Sequence, residues 1–107
     1  MAKYALLAVL ESKPGKEIEV ENFLKSAQPL AEKEPGTLTW YALKFGPSKF
    51  GIFDTFADEK GREAHLNGEI AKALTAKAND LFAKPPQIEK LEILAEKGAG
   101  SKQASAR

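Results

Sequence analysis

The chain has 107 residues, with 16 Lys or Arg against 15 Asp or Glu, one His, one Trp and no Cys. That length makes one domain with a genuine core, and the missing Cys excludes disulfides, thiolate catalysis, iron–sulfur clusters and Cys-type zinc sites. A formal charge of +1 at pH 7 offers no bulk attraction to nucleic acid or to an anionic membrane, so neither is expected as a partner.

The apolar run Tyr4–Leu10 follows a single Lys and meets Glu11 without a small-residue cleavage motif. It reads as the first strand of a cytoplasmic protein rather than as a signal peptide. Lys13-Pro14-Gly15 is a turn signal. From Lys16 to Glu34, Val20, Phe23, Leu24, Ala27 and Ala31 repeat at the spacing of a helix with one buried face. Pro29 falls inside that pattern, which predicts a kink or break near Lys25–Gln28. Pro35-Gly36 then ends the helix.

Thr37 to Phe45 alternates, with Leu38, Trp40 and Ala42 on one face and Thr39, Tyr41, Leu43 and Phe45 on the other. Gly46-Pro47-Ser48 turns the chain into a second aromatic strand, Lys49 to Phe56, so the two strands form a hairpin. A water-facing sheet surface would show polar alternation. This hairpin is apolar on both faces, which predicts cover from its own helices on one side and from a second copy of the chain on the other. Asp58 is placed to cap a helix from Glu59 to about Asn67, with Gly68 as its stop. Ile70, Ala73, Leu74, Ala78, Leu81 and Phe82 share one face of a further helix, which Pro85-Pro86 ends. Ile88, Leu91, Ile93 and Leu94, mixed with Glu89, Lys90 and Glu92, suit a last edge strand. The resulting order is βαββαβ, an α+β ferredoxin-like arrangement with a four-stranded antiparallel sheet and helices on one face. Residues 1–96 are expected to form the domain and residues 97–107 a flexible tail.

None of the phosphate-loop, dinucleotide, zincin, nucleophile-elbow or EF-hand patterns is present, so no cofactor and no metal site is expected. Six of the nine aromatic residues (Trp40, Tyr41, Phe45, Phe50, Phe53, Phe56) lie in the hairpin. They suit a pocket for a flat apolar ligand, and equally a plain core and dimer interface. His65 is the side chain whose ordinary pKa suits proton transfer near neutrality; its bland alternative is a half-buried helix histidine bonded to a carbonyl. Asp54 lies between Ile52 and Phe56 in the period-two pattern, on an apolar strand face, where an acid must be paired, hydrogen-bonded or raised in pKa. Its bland alternative is a strand end reaching solvent or Arg62. Asn22 and Asn79 are weaker hydrogen-bonding candidates, with surface amides as the default reading.

Glu34-Pro35-Gly36-Thr37-Leu38-Thr39-Trp40, then Phe50-Gly51-Ile52-Phe53-Asp54-Thr55-Phe56-Ala57-Asp58, then Ala64-His65-Leu66, resemble the antibiotic biosynthesis monooxygenase family over about residues 3–95. The resemblance implies a homodimer closed sheet to sheet into an α+β barrel. It also implies cofactor-independent oxygenation of a quinol, anthrone or related electron-rich aromatic. His65 matches the family's helix His and Asp54 the acid of its strand motif. The haem-degrading branch carries an Asn on its first strand, which Lys3–Leu10 lacks, and Trp40 lies on the second strand, so haem is not implied. The expectation is therefore an oxygenase in which His65 and Asp54 are catalytic and Trp40, Phe53, Phe82, Phe23 and Arg62 bind a small aromatic molecule. His65 is expected as a neutral base whose burial lowers its pKa; an ion pair with Asp54 would instead raise it. The rival expectation is a non-catalytic, ligand-holding or stress-related dimer of the same fold.

Overall fold

The inner strand β1 (Tyr4–Glu11) pairs antiparallel with β3 (Lys49–Phe56) on one side and with β4 (Gln87–Glu92) on the other. The computed structural model describes residues 2–98, so the tail expected over 97–107 lies, from residue 99 onward, outside the described residues. β2 (Thr37–Lys44) pairs antiparallel with β3, giving the sheet order β2-β3-β1-β4. Helix α1 (Glu17–Glu32) links β1 to β2, while α2 (Glu59–Leu66) and α3 (Glu69–Leu81) link β3 to β4. This is the ferredoxin-like α+β arrangement that the sequence pattern implies.

Period-two alternation divides the sheet. Leu6, Ala8 and Leu10 of β1, and Phe50, Ile52, Asp54 and Phe56 of β3, stand opposite one another and face the helices. Beneath them α1 buries Val20, Leu24, Ala27 and Ala31, and α3 buries Ile70, Leu74 and Leu81. Each fully buried aliphatic or aromatic side chain in such a core contributes ~1.5–3 kcal/mol through burial. The other sheet face carries Leu7, Val9, Tyr41, Leu43, Phe45, Phe53 and Leu91. Among the described residues no helix covers it, and Tyr41 and Phe45 remain about half exposed (53% and 50%).

The break expected near Lys25–Gln28 does not occur, because α1 runs through Pro29 without interruption. Pro29 and Lys25 both lie on the exposed side of the helix, so the carbonyl that Pro29 leaves free faces water. The opposite side is held down by Leu24, Ala27 and Ala31.

The turn from α1 into β2 sets the position of the site. A Cβ at Gly36 would come within 2.9 Å of the Gly61 Cα, so the turn backbone rests directly on α2. Helix α2 begins where Asp58 accepts a hydrogen bond from the Gly61 amide at 2.8 Å, the cap its sequence predicts.

Phe50 is 1% exposed at the centre of this core. Phe50→Ala is expected to lower the unfolding free energy by about 3–5 kcal/mol in urea titration, with little collapse of the surrounding side chains to offset the loss.

Candidate functional site

The alternation of β3 aims Asp54 at the helices, and the last turn of α2 aims His65 back at the sheet. The two meet with His65 Nε2 2.9 Å from Asp54 Oδ2, both residues being buried. On the other edge of the ring, Nδ1 lies 2.6 Å from Glu34 Oε1, contributed by the turn after α1. The same Glu34 oxygen accepts a hydrogen bond from Thr37 Oγ1 at 2.6 Å. The Phe56 ring packs against the imidazole with centroids 5.5 Å apart.

The two carboxylate contacts are unequal. The Glu34 contact has hydrogen-bond geometry, whereas Asp54 lies close to Nε2 without a well-directed bond to either of its oxygens. Asp54, at 1% exposure, therefore keeps acceptor capacity that no side chain among the described residues fills. Burial raises its pKa, and the Glu34 charge adds to the rise, against a partial counterweight from His65.

For His65, burial disfavours the charged ring, but the close contacts and negative charge of Asp54 and Glu34 outweigh it and hold the pKa above its ordinary value. Its place in the last turn of α2 favours a cation further. The expected neutral base with a lowered pKa is thus corrected. Burial alone would have produced it, but two acids rather than one face the ring. Nothing in the sequence pattern singles out Glu34 as the second of them. Its only sequence signal is its position at the head of the Pro-Gly turn.

A cavity of about 30 Å³ lies against Asp54 and His65, walled by Leu6, Ala8, Ile52, Leu66, Leu74 and Ile88. Its walls are apolar apart from those two side chains, and it has room for about one water molecule. On the Glu34 side of the ring a wider surface pocket of about 330 Å³ is bordered by Gly36, Thr37, Asn67 and Lys72.

The remaining candidates do not converge on the pair. Trp40 stands cross-strand from Asp54 on the same face, but walls a separate pocket of about 150 Å³ with Gln28, Ala31 and Leu38; its Nε1 is buried without a partner. Phe53 points to the opposite sheet face, because it is one residue out of phase with Asp54. Phe82 is buried in the core and Phe23 packs at its edge. Arg62 donates from Nη1 to the Leu91 carbonyl at 3.0 Å and lies 5.0 Å over the Tyr4 ring, so it ties α2 to β4 rather than meeting Asp54. Asn22 borders a groove between α1 and α3, and Asn79 offers its carbonyl to Lys13. Among the described residues no cluster of three or more His, Cys, Asp or Glu side chains is arranged to hold a metal ion. Nor, among them, is any helix long and apolar enough to cross a membrane.

Among solved structures, a Nitrosomonas europaea protein of unknown function is 61% identical to this chain. The match covers 91% of this chain and 94% of that one, with a TM-score of 0.89. The chain belongs to that protein's family. A second Nitrosomonas europaea protein and one from Bordetella bronchiseptica are both described as candidate antibiotic biosynthesis monooxygenases. They match at 17% and 15% identity, over 91% and 89% of this chain and 95% and 100% of theirs, with TM-scores of 0.78 and 0.72. The resemblance drawn from the sequence motifs is borne out in the fold: this chain has the architecture of the antibiotic biosynthesis monooxygenases. No protein-family model and no curated protein matches the chain.

A titration signature follows from the cluster. His65 binds its proton more tightly folded than unfolded, so its stabilising contribution is complete below pH 6.5 and is lost as pH rises through the folded value. Asp54 is also raised, from 3.8, so it acts with the same sign: its contribution is complete below pH 3.8 and lost as pH rises. Stability should therefore fall with rising pH above 6.5, by at most about 1.4 kcal/mol per pH unit for one proton. Urea unfolding between pH 6 and 9 should show this slope in the native chain and a flatter one in His65→Gln.

Proposed function

We propose that this chain is a cofactor-independent oxygenase acting on a quinol, anthrone or related electron-rich aromatic, working as a homodimer. One observation carries the reading: a buried carboxylate with unused acceptor capacity, beside an imidazole, on the wall of an otherwise apolar cavity. Such a wall suits removal of a proton from a weakly acidic C–H or O–H in a site that excludes water. The resulting carbanion or phenolate can itself give an electron to dioxygen. Recombination forms a C–O bond, the abstracted proton returns to the peroxide anion to give a hydroperoxide, and loss of water from it leaves a carbonyl on the product. Asp54 and His65 together are the proton acceptor, and Leu6, Ile52 and Leu74 hold the apolar ring. The shared fold with candidate antibiotic biosynthesis monooxygenases supports the same reading.

One dimension favours a second reading. The cavity beside Asp54 is about 30 Å³, smaller than any quinol, so turnover requires Leu66 or Ile88 to move aside. A dimer that only holds a ligand small enough for that cavity needs no such opening. Oxygen-electrode assays of metal-free protein with quinols, flavonoids and anthrones separate the two. Consumption should appear with at least one substrate and fall about 100-fold or more in Asp54→Asn, the usual loss on removing a general base. Binding without consumption across the panel overturns the oxygenase reading in favour of the second.

The homodimer rests on the sheet face that Leu7, Val9, Tyr41, Leu43, Phe45 and Phe53 leave uncovered. Obligate interfaces of this kind typically bury more than ~2,000 Å² and are strongly apolar. Sedimentation at micromolar concentration should give about twice 11.6 kDa, and Val9→Lys should shift the particle toward monomer. A clean native monomer contradicts the dimer.

A further inference from the structure

We infer that Glu34 is a positioning residue for the His65 ring: it accepts a hydrogen bond from Nδ1–H, and so leaves Nε2 as the nitrogen that exchanges a proton beside Asp54. The inference rests on the proposed reading only for what that proton does; the clamp itself is read from geometry. Of the two acids on the ring, Glu34 makes the well-directed contact at 2.6 Å, while Asp54, at 2.9 Å from Nε2, makes none. A histidine with one nitrogen committed in this way presents the other as its working atom. Nε2 is the nitrogen on the cavity side, where Asp54 lies. Glu34 faces the wider surface pocket on the opposite side of the ring.

Glu34 is itself held by a hydrogen bond and by the seating of its turn, and has Gly68 as a neighbour. Thr37 Oγ1 donates to its Oε1 at 2.6 Å. The Gly36 backbone is seated against Gly61 of α2, where a Cβ on Gly61 would lie 2.9 Å from the Gly36 carbonyl oxygen. Across the pocket, a Cβ on Gly68 would stand 3.2 Å from Glu34 Oε2. The carboxylate that orients the ring is therefore mounted on a backbone-to-backbone contact, not on a long side chain swinging in solvent.

Several other charged groups surround the ring. Asp54 approaches it from β3. Arg62 lies one turn earlier on α2, with its guanidinium on the Leu91 carbonyl. Lys33 before the turn, and Glu69 and Lys72 at the start of α3, border the same outer pocket. Among these side chains only Glu34 and Asp54 pair with the imidazole.

The test is ¹⁵N NMR of the imidazole, which the chain's single His makes unambiguous. Raising the pH until the ring is neutral should leave its proton on Nδ1 in the native chain, the minority tautomer of free histidine. In Glu34→Ala the pKa should fall by about one unit or more, as on loss of a close opposite charge. The neutral ring should then carry its proton on Nε2, toward Asp54. Glu34→Gln should lower the pKa yet keep the Nδ1 tautomer, because an amide oxygen still accepts that proton. Gly61→Ala, which pushes the turn off α2 while leaving all three polar side chains in place, should act as Glu34→Ala does. It carries the test if Glu34→Ala does not fold. A neutral native ring protonated on Nε2, or variants that change neither pKa nor tautomer, overturns the proposal. An Nδ1 tautomer in a protein that consumes no oxygen overturns the oxygenase reading and leaves the Glu34 clamp standing.

Discussion

An imidazole buried between two carboxylates is expensive to desolvate and hard to rearrange, and three parts of this fold are built to hold one. Asp54 belongs to the sheet, His65 to α2 and Glu34 to the turn that ends α1. The cluster therefore joins elements whose apolar contacts alone would tolerate some sliding. Removing one member of a buried charged set typically costs about 3–5 kcal/mol, because the charge left behind has no water to turn to. With two acids and one base, the set carries an excess negative charge when all three are ionised. Burial, with a smaller contribution from the Glu34 charge, raises Asp54, and the set favours binding one more proton.

That arrangement depends on sheet phase. Asp54 shares its face with Phe50, Ile52 and Phe56, so the register that buries those side chains also delivers the carboxylate to α2. A one-residue slip would place Phe53 toward the helices and Asp54 on the opposite face, losing core and site together. The same alternation leaves a second apolar surface on the back of the sheet. The acidic cluster and the uncovered apolar surface are thus on two faces of the same strands, separated by the thickness of one β-layer.

Much of this was legible in the sequence because it rests on periodicity. The α1 stripe of Val20, Leu24, Ala27 and Ala31, the two-faced hairpin and the Asp58 cap are local patterns with local causes. That Asp54 needs a partner was legible too, since an acid in an apolar strand phase demands one; that the partner is His65 rather than Arg62 or solvent was not. Glu34 was not, because its contact spans 31 residues of chain and depends on how the Pro35-Gly36 turn docks on Gly61. The Pro29 break failed to appear because burial on the far side of α1 outweighs one lost hydrogen bond on the exposed side. Trp40 and Phe53 fell on opposite faces by simple parity. The pocket imagined between them asked for aromatic side chains that the pleat itself keeps apart.

Trp40 has a different use. It is the chain's lone indole, set cross-strand from Asp54, with a buried Nε1 that no protein group engages. Indole emission responds to the electric field along the ring and to whatever bonds its N–H. Evolution has thus left a spectroscopic gauge a strand's width from the acidic cluster. A change of charge at Asp54 is expected to shift the colour and lifetime of that emission, with no label introduced.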